Sequence, residues 1–302
     1  MVLNAARRLL HSLTVLLLVT MGSVALLSLA PGSVASVILG ENATPGSIAR
    51  LNAQLGMDRP LWRQYVGWLG HAVTGDLGTS PVTNQSVVQA VLTRLPVTLE
   101  LAALALVISL TAAVALAVLS AAREDTATDR VTTAFSSVLL SVPAFIAGPL
   151  LIYVFSLRLG WFPVSGWSHM GDSGLAANLR GALLPAVAVS LTEIASFQRA
   201  LRSDLVATLR EDFIGAAHAK GLSRGYVMFR HALRPSSFSL ITLAGINLGR
   251  LIGGTVVVET LFSLPGLGQL VVSSIISRDL VRCRGSSSSS SWCTWSSTRW
   301  ST

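Results

Sequence analysis

Charge is what this sequence lacks most. Lysine, arginine, aspartate and glutamate together make up 12% of its 302 residues, against about 25% in an average soluble domain. Hydrophobic residues make up 51% and the mean hydropathy is +0.63. A soluble core of this length cannot cover that much apolar surface, so a soluble globular fold is excluded and lipid is the solvent that fits. Cysteine is nearly absent: Cys283 and Cys293 both lie in an atypical C-terminal stretch. With no CxxC, no His/Cys cluster and no disulfide framework, the body of the protein calls for neither a metal nor a disulfide. There is also no GxxxxGK[ST] phosphate loop, so the chain is not read as an ATP-hydrolysing enzyme. The net charge of +8 sits mostly in short loops beside apolar runs. That distribution suits membrane topology and not a nucleic-acid surface.

What is present in quantity is apolar sequence, and a bilayer span needs about 20 such residues. Five runs qualify, at roughly 9–30, 96–121, 131–157, 181–200 and 238–262. The first is longer than the ~7–15 residue apolar region of a cleaved leader and is read as a retained helix. The third contains Pro143 and Pro149, which in a membrane helix mark a kink. Pro185 and Glu193 interrupt the fourth, and Arg250 lies in the middle of the fifth. The fold class is therefore an all-α polytopic helix bundle.

With the N-terminus in the cytoplasm, segments 1–8, 122–130 and 199–236 are inner and carry eleven lysines and arginines. The outer segments, 31–95 and 158–180, are longer in total and carry six. This follows the positive-inside rule. Residues 45–69 space Ile48, Leu51, Leu55, Leu61, Tyr65, Trp68 and Leu69 for one face of an amphipathic helix or two. Gly75–Pro81 reads as a turn. The chain divides into a first segment and span (1–30), an extracytoplasmic cap (31–95), a core (96–280) and an anomalous tail (281–302).

A mid-span charge is costly in lipid, so Arg250 must face the bundle or a wet cavity. It reads either as a path or subunit-interface residue, or as a structural arginine paired with Glu259 or Glu193. Glu100 sits near an outer end and is interfacial.

The inner loop 199–236 carries the most information. Glu211 and Asp212 open a short helix where its dipole is positive, and Lys220 and Gly221 close it. Phe213, Ile214, Ala217 and Leu222 supply an apolar stripe, and Gly215, Ala216, Ala217 and Ala219 let another surface approach closely. Such a helix fits a groove in a partner, although an ordinary capped connector has the same local pattern. His218 and His231 are read as loop surface and not as metal ligands.

This loop resembles the EAA loop of ABC importer permeases: Gly215-Ala216-Ala217, then Gly221, with Leu233 at the leucine position. It departs from that pattern where Gly215 replaces glutamate, where His231 replaces isoleucine and where Pro235 falls one place late. Ala217 to Ser223 has the form found in the peptide-importer branch. Leu55-Gly56-Met57-Asp58-Arg59-Pro60-Leu61, Gly75-Asp76-Leu77-Gly78-Thr79-Ser80, Arg94-Leu95-Pro96-Val97-Thr98-Leu99-Glu100-Leu101 and Val258 to Gly268 extend the likeness to the peptide/nickel permeases over about residues 1–280.

The resemblance implies a type I importer permease, multi-pass in the cell membrane, that pairs with a second permease. The two ATP-binding subunits on the inner face would use ATP and magnesium, this chain binding no cofactor itself. An extracytoplasmic binding protein would deliver short peptides. The helix at 211–223 would seat in a groove of one ATPase, and Arg250 and Glu259 are candidate path residues. Nickel, glutathione or haem-like cargo are alternatives within the same branch. An ATPase-independent transporter is the rival outside it, disfavoured because no internal repeat or intramembrane acid chain is visible.

The family bundle also implies a sixth span that the tail does not supply. Nine serines fall between Arg282 and Thr302, six of them consecutive, with three of the seven tryptophans. Serine codons of the TCN kind, read one base earlier, begin as NTC and encode valine, leucine, isoleucine or phenylalanine. The tail is read as a frame change concealing an apolar helix, with a genuine divergent tail as the other reading and a truncated, non-functional permease as a further alternative. Resequencing the 3′ end of the gene tests this, since an alternate frame without an apolar run removes the idea.

Overall fold

The computed structural model describes residues 34–55, 57–168, 170–277 and 279, with residues 7, 14, 15, 17–22 and 25. The expected first span, 9–30, lies largely outside these residues, and the tail 281–302 lies wholly outside them. The described residues form helices and no strand; Thr79 and Ser86 make one isolated antiparallel bridge.

The chain divides into two compact units, one built from residues up to Thr98 and from Pro265 onward, the other from Leu99–Leu264. The first contains α1 (Val34–Leu39), α2 (Pro45–Gln54), α3 (Leu61–Val73) and the start of α4 (Val87–Ala122). It ends with a helix at Leu267–Ile276. Thr44 and Ser47 cap α2 reciprocally, and Pro45 occupies its first turn, where a missing N–H costs nothing. The amphipathic stretch expected at 45–69 is thus two helices, α2 and α3. Tyr65 and Trp68 of α3 stack with centroids 6.0 Å apart, and the Tyr65 hydroxyl lies 2.8 Å from Thr20 Oγ1.

In place of the single turn expected at 75–81, the chain turns at 74–75 and again at 81–83, with the Thr79 bridge between them; Gly75 and Gly78 are both near φ +90°, where a side chain would be strained. Val87, Ala90 and Val91 pack with Leu267 and Leu270. The Leu267 amide donates to Thr98 Oγ1 at 2.9 Å, and buried Ser80 donates to buried Asp279. These contacts place residues 265–279 with the first unit, whereas the sequence grouped them with the core at 96–280.

The second unit holds most of the apolar helix. After α4 come α5 (Ala127–Ser141) and α6 (Ala144–Leu151), with a π-helical extension from Ile152 to Arg158. α7 runs Met170–Leu209 with a break at Gly174, and α8 is Asp212–Ala219. A short α9 (Arg224–Tyr226) leads through a π-helical turn, Val227–Ala232, into α10 (Leu233–Gly254) and α11 (Val256–Leu261). The helix at Leu267–Ile276 is α12.

Among the described residues, Val87–Ala122, Gly174–Leu209 and Arg224–Leu261 are each long and apolar enough to cross a bilayer. The third expected span, 131–157, is instead a pair of helices bent by 100°. Val142 is extended (φ −97°, ψ 107°), as a residue before proline prefers, and Pro143 has no N–H to continue the ladder. Pro149, five residues into α6, is accommodated within the helix.

The buried line of α4 in this unit runs Leu101, Ala105, Ser109, Ala113, Ala117, Ala121, a step of four residues that is almost all small. Ala113, Ala117 and Ala121 share one core cluster with Phe197, Leu201 and Leu205 of α7 and with Ile214 and Ala217 of α8. Small residues let membrane helices and large side chains approach closely.

Candidate functional site

α8 has the local chemistry of a freestanding capped helix. Glu211 precedes it in extended conformation, Asp212 sits in its first turn and His218 in its last. Gly221 ends it at φ +79°, and its amide bonds back to the His218 carbonyl at 2.9 Å. One side is seated: Ile214 and Ala217 are buried in the α4–α7 cluster, with Leu222 packed against it. The other side is open. Phe213 is 48% exposed, and Gly215, Ala216, Ala219 and Lys220 are exposed beside it. A Cβ added at Gly215 would meet nothing within 4 Å.

The sequence grouped Phe213 with Ile214, Ala217 and Leu222 in a single apolar stripe, and the structure turns it out. The seat is centred on Ile214, and a neighbouring residue stands about 100° round the helix from it. The next helical stretch also exposes Tyr226 and Phe229.

Beside α8 lies a polar group that joins three elements. The Arg202 guanidinium of α7 donates to both carboxylate oxygens of Asp129 on α5, Nε to Oδ1 at 2.7 Å and Nη2 to Oδ2 at 2.6 Å. Nε also reaches Ser120 Oγ on α4 at 2.9 Å, and the Ser120 hydroxyl donates to Asp129 Oδ1. The Asp125 amide, at φ +62° in the turn between α4 and α5, donates to Asp129 Oδ2 at 3.1 Å. Ser120 and Asp129 are buried. An exposed pair, Arg210 Nη2 to Glu124 Oε1 at 2.6 Å, joins the same turn to the end of α7. The two loops 122–130 and 199–236 thus come together at one end of the unit.

At mid-span the pattern differs. Asn247 of α10, buried, donates to Glu193 Oε2 of α7 at 2.7 Å. Arg250, one turn further along α10, is exposed. Glu259 is fully buried and accepts from Thr255 Oγ1 at 2.9 Å. It lies in the unit's interior. At the opposite end from α8, the Trp167 indole and the Asn178 amide both donate to Glu100 Oε2. Glu100, read from sequence as merely interfacial, fastens the 161–168 loop to α4 and α7.

The Asp129–Arg202–Ser120 group was not singled out from sequence. Its signal was faint: one acid and one arginine, each near the inner end of an apolar run, 73 positions apart. Among the described residues no cluster of three or more His, Cys, Asp or Glu is placed to hold a metal.

Residues 113–281 match the family described as "Binding-protein-dependent transport system inner membrane component". Residues 1–102 match its N-terminal companion, "Binding-prot-dependent transport system membrane comp, N-term". A Sinorhizobium fredii protein named "Probable peptide ABC transporter permease protein" is 37% identical over 273 residues, covering 90% of this chain and 87% of the relative. The "Dipeptide transport system permease protein" of Alkalihalophilus pseudofirmus is 32% identical over 298 residues, covering 92% and 90% respectively.

Proposed function

This chain belongs to the family of binding-protein-dependent transport system inner membrane components, and from that premise we propose that it is one permease subunit of an ATP-driven importer of short peptides. The relatives named for peptide and dipeptide transport match it along nearly its whole length, which favours peptide as cargo. The chain is a multi-pass protein of the inner membrane with its N-terminus and the 122–130 and 199–236 loops in the cytoplasm. It forms the translocation path with a second permease. An extracytoplasmic binding protein supplies the peptide, and two partner subunits hydrolyse ATP with magnesium.

The observation that carries this reading is α8. Its Ile214 side is fixed in the core, while Phe213, Gly215, Ala216 and Ala219 stand free. That is the form of a knob: a bulky anchor on a slim, rigid helix that a groove in an ATPase subunit can enclose. An exposed aromatic at a buried interface centre is the residue type that carries binding energy. Movement of the ATPase pair on ATP binding then moves α8 and switches the path. Arg250, exposed on α10 near mid-span, is assigned to the path or to the face of the second permease, since a charge there is not left to lipid.

The test is uptake of a labelled dipeptide by cells lacking this gene and complemented with the chain. Phe213→Ala is expected to lower both uptake and co-purification of the ATPase, because removing an interface anchor costs about 2 kcal/mol or more. Uptake that persists without any ATPase subunit overturns the assignment.

A further inference from the structure

We propose that Asp129, Arg202 and Ser120 form the joint that locks α4, α5 and α7 together beside the seat of α8, so that they act as positioning residues for the coupling of ATP hydrolysis to transport. The inference rests on the importer reading. Arg202 lies two turns before the end of α7, and only Arg210 and Glu211 separate α7 from α8. Two linkages lie beside that junction, the first holding α8 to the spans and the second holding the spans to one another. One is apolar, with Ile214 and Ala217 of α8 in the same cluster as Ala121 of α4 and Leu205 of α7. The other is the guanidinium fork on Asp129, with Ser120 bonded to both members.

The apolar seat resists lifting of α8 but is non-directional. A planar fork with two parallel bonds to one carboxylate fixes orientation as well as distance. Charge of this kind rarely maximises stability compared with an apolar replacement, and what it adds here is a fixed angle between α7 and the α4–α5 corner. The Asp125 amide extends the hold to the turn itself. With the joint intact, a push that reaches α4 and α7 through the seat of α8 moves α4, α5 and α7 together. With the joint loosened, α7 can turn against the α4–α5 corner and absorb that push.

The experiment uses the complete importer in proteoliposomes: both permeases, both ATPase subunits and the peptide-loaded binding protein. ATP hydrolysed and dipeptide transported are measured per assembled complex. Arg202→Lys keeps the charge and loses the fork. Its ratio of ATP hydrolysed to peptide moved is expected to rise about tenfold, the factor for one charge-assisted hydrogen bond lost. Ser120→Ala, which leaves the ion pair in place but removes the bonds to both Asp129 and Arg202, provides a milder second variant and is expected to raise the ratio about threefold or more, since each such bond is worth about 0.5–1.5 kcal/mol. Glu124→Gln, on the exposed pair, is expected to leave it within about twofold. If both rates fall in parallel in Arg202→Lys and Ser120→Ala, with the ratio unchanged, the group is a structural brace only and the proposal is overturned. If the unaltered complex hydrolyses ATP but moves no peptide, the importer reading fails first and the joint proposal falls with it.

Discussion

The Asp129 group and the Glu193 group are built from the same kinds of atom and treat them in opposite ways. Around Asp129 both carboxylate oxygens receive two donors each, from Ser120, Arg202 and the Asp125 amide. Around Glu193 one oxygen receives one donor from Asn247, and the nearby guanidinium of Arg250 is exposed. A charge satisfied wholly within its own chain sets the angle between helices. The exposed charge of Arg250 at mid-span fixes no such angle.

Asp129→Ala should break the contrast most severely. It strands Arg202, whose side chain is only 28% exposed, and is expected to cost about 3 kcal/mol. The readout is the thermal midpoint of the detergent-solubilised protein, and an unmoved midpoint would mean that the fork is no more structural than the exposed charge. Asn247→Leu should fall in the middle. It keeps approximate volume but removes the donor from Glu193, for roughly 1–2 kcal/mol in the same measurement. Gly181 offers a control of similar size without any charge, since a Cβ there would lie 2.9 Å from the Gly166 carbonyl oxygen. Gly181→Val is therefore expected to cost about 1–3 kcal/mol through overpacking, with peptide uptake per folded molecule retained. The smallest stability effect belongs to Arg250→Gln, within about 0.5 kcal/mol. Uptake should nevertheless fall with that variant, and a large loss of stability with uptake intact would reassign Arg250 to the scaffold.

How much of this was legible in sequence depended on distance along the chain. The ends of α8 were readable because Asp212, Lys220 and Gly221 act within a turn of themselves. The apolar runs announced the spans, and Pro143 announced a kink. The 100° bend there was not readable, because prolines 143 and 149 look alike in sequence and only the first ends up breaking its helix. Phe213 was misplaced by a single residue step round the helix. The bond from Asn247 to Glu193 was not readable either, because it depends on the register of α7 against α10. Arg202 and Asp129 gave almost no sign, since nothing local says which of many inner-loop charges will meet.

The alanines along α4 have a consequence for how this gene can change. Each of Ala105, Ala113, Ala117 and Ala121 is at most 4% exposed, and the last three share their cluster with Phe197, Leu201 and Leu205. Nearly every single-base replacement at such a position is larger or polar, so mutational error there runs in one direction, toward crowding. On the facing residues of α7 it runs the other way, toward voids. The stripe should thus be among the slowest parts of the gene to drift, for reasons of packing alone. Invariance found there would record how closely two helices sit, and a survey of family members that equated constancy with catalysis would misread it.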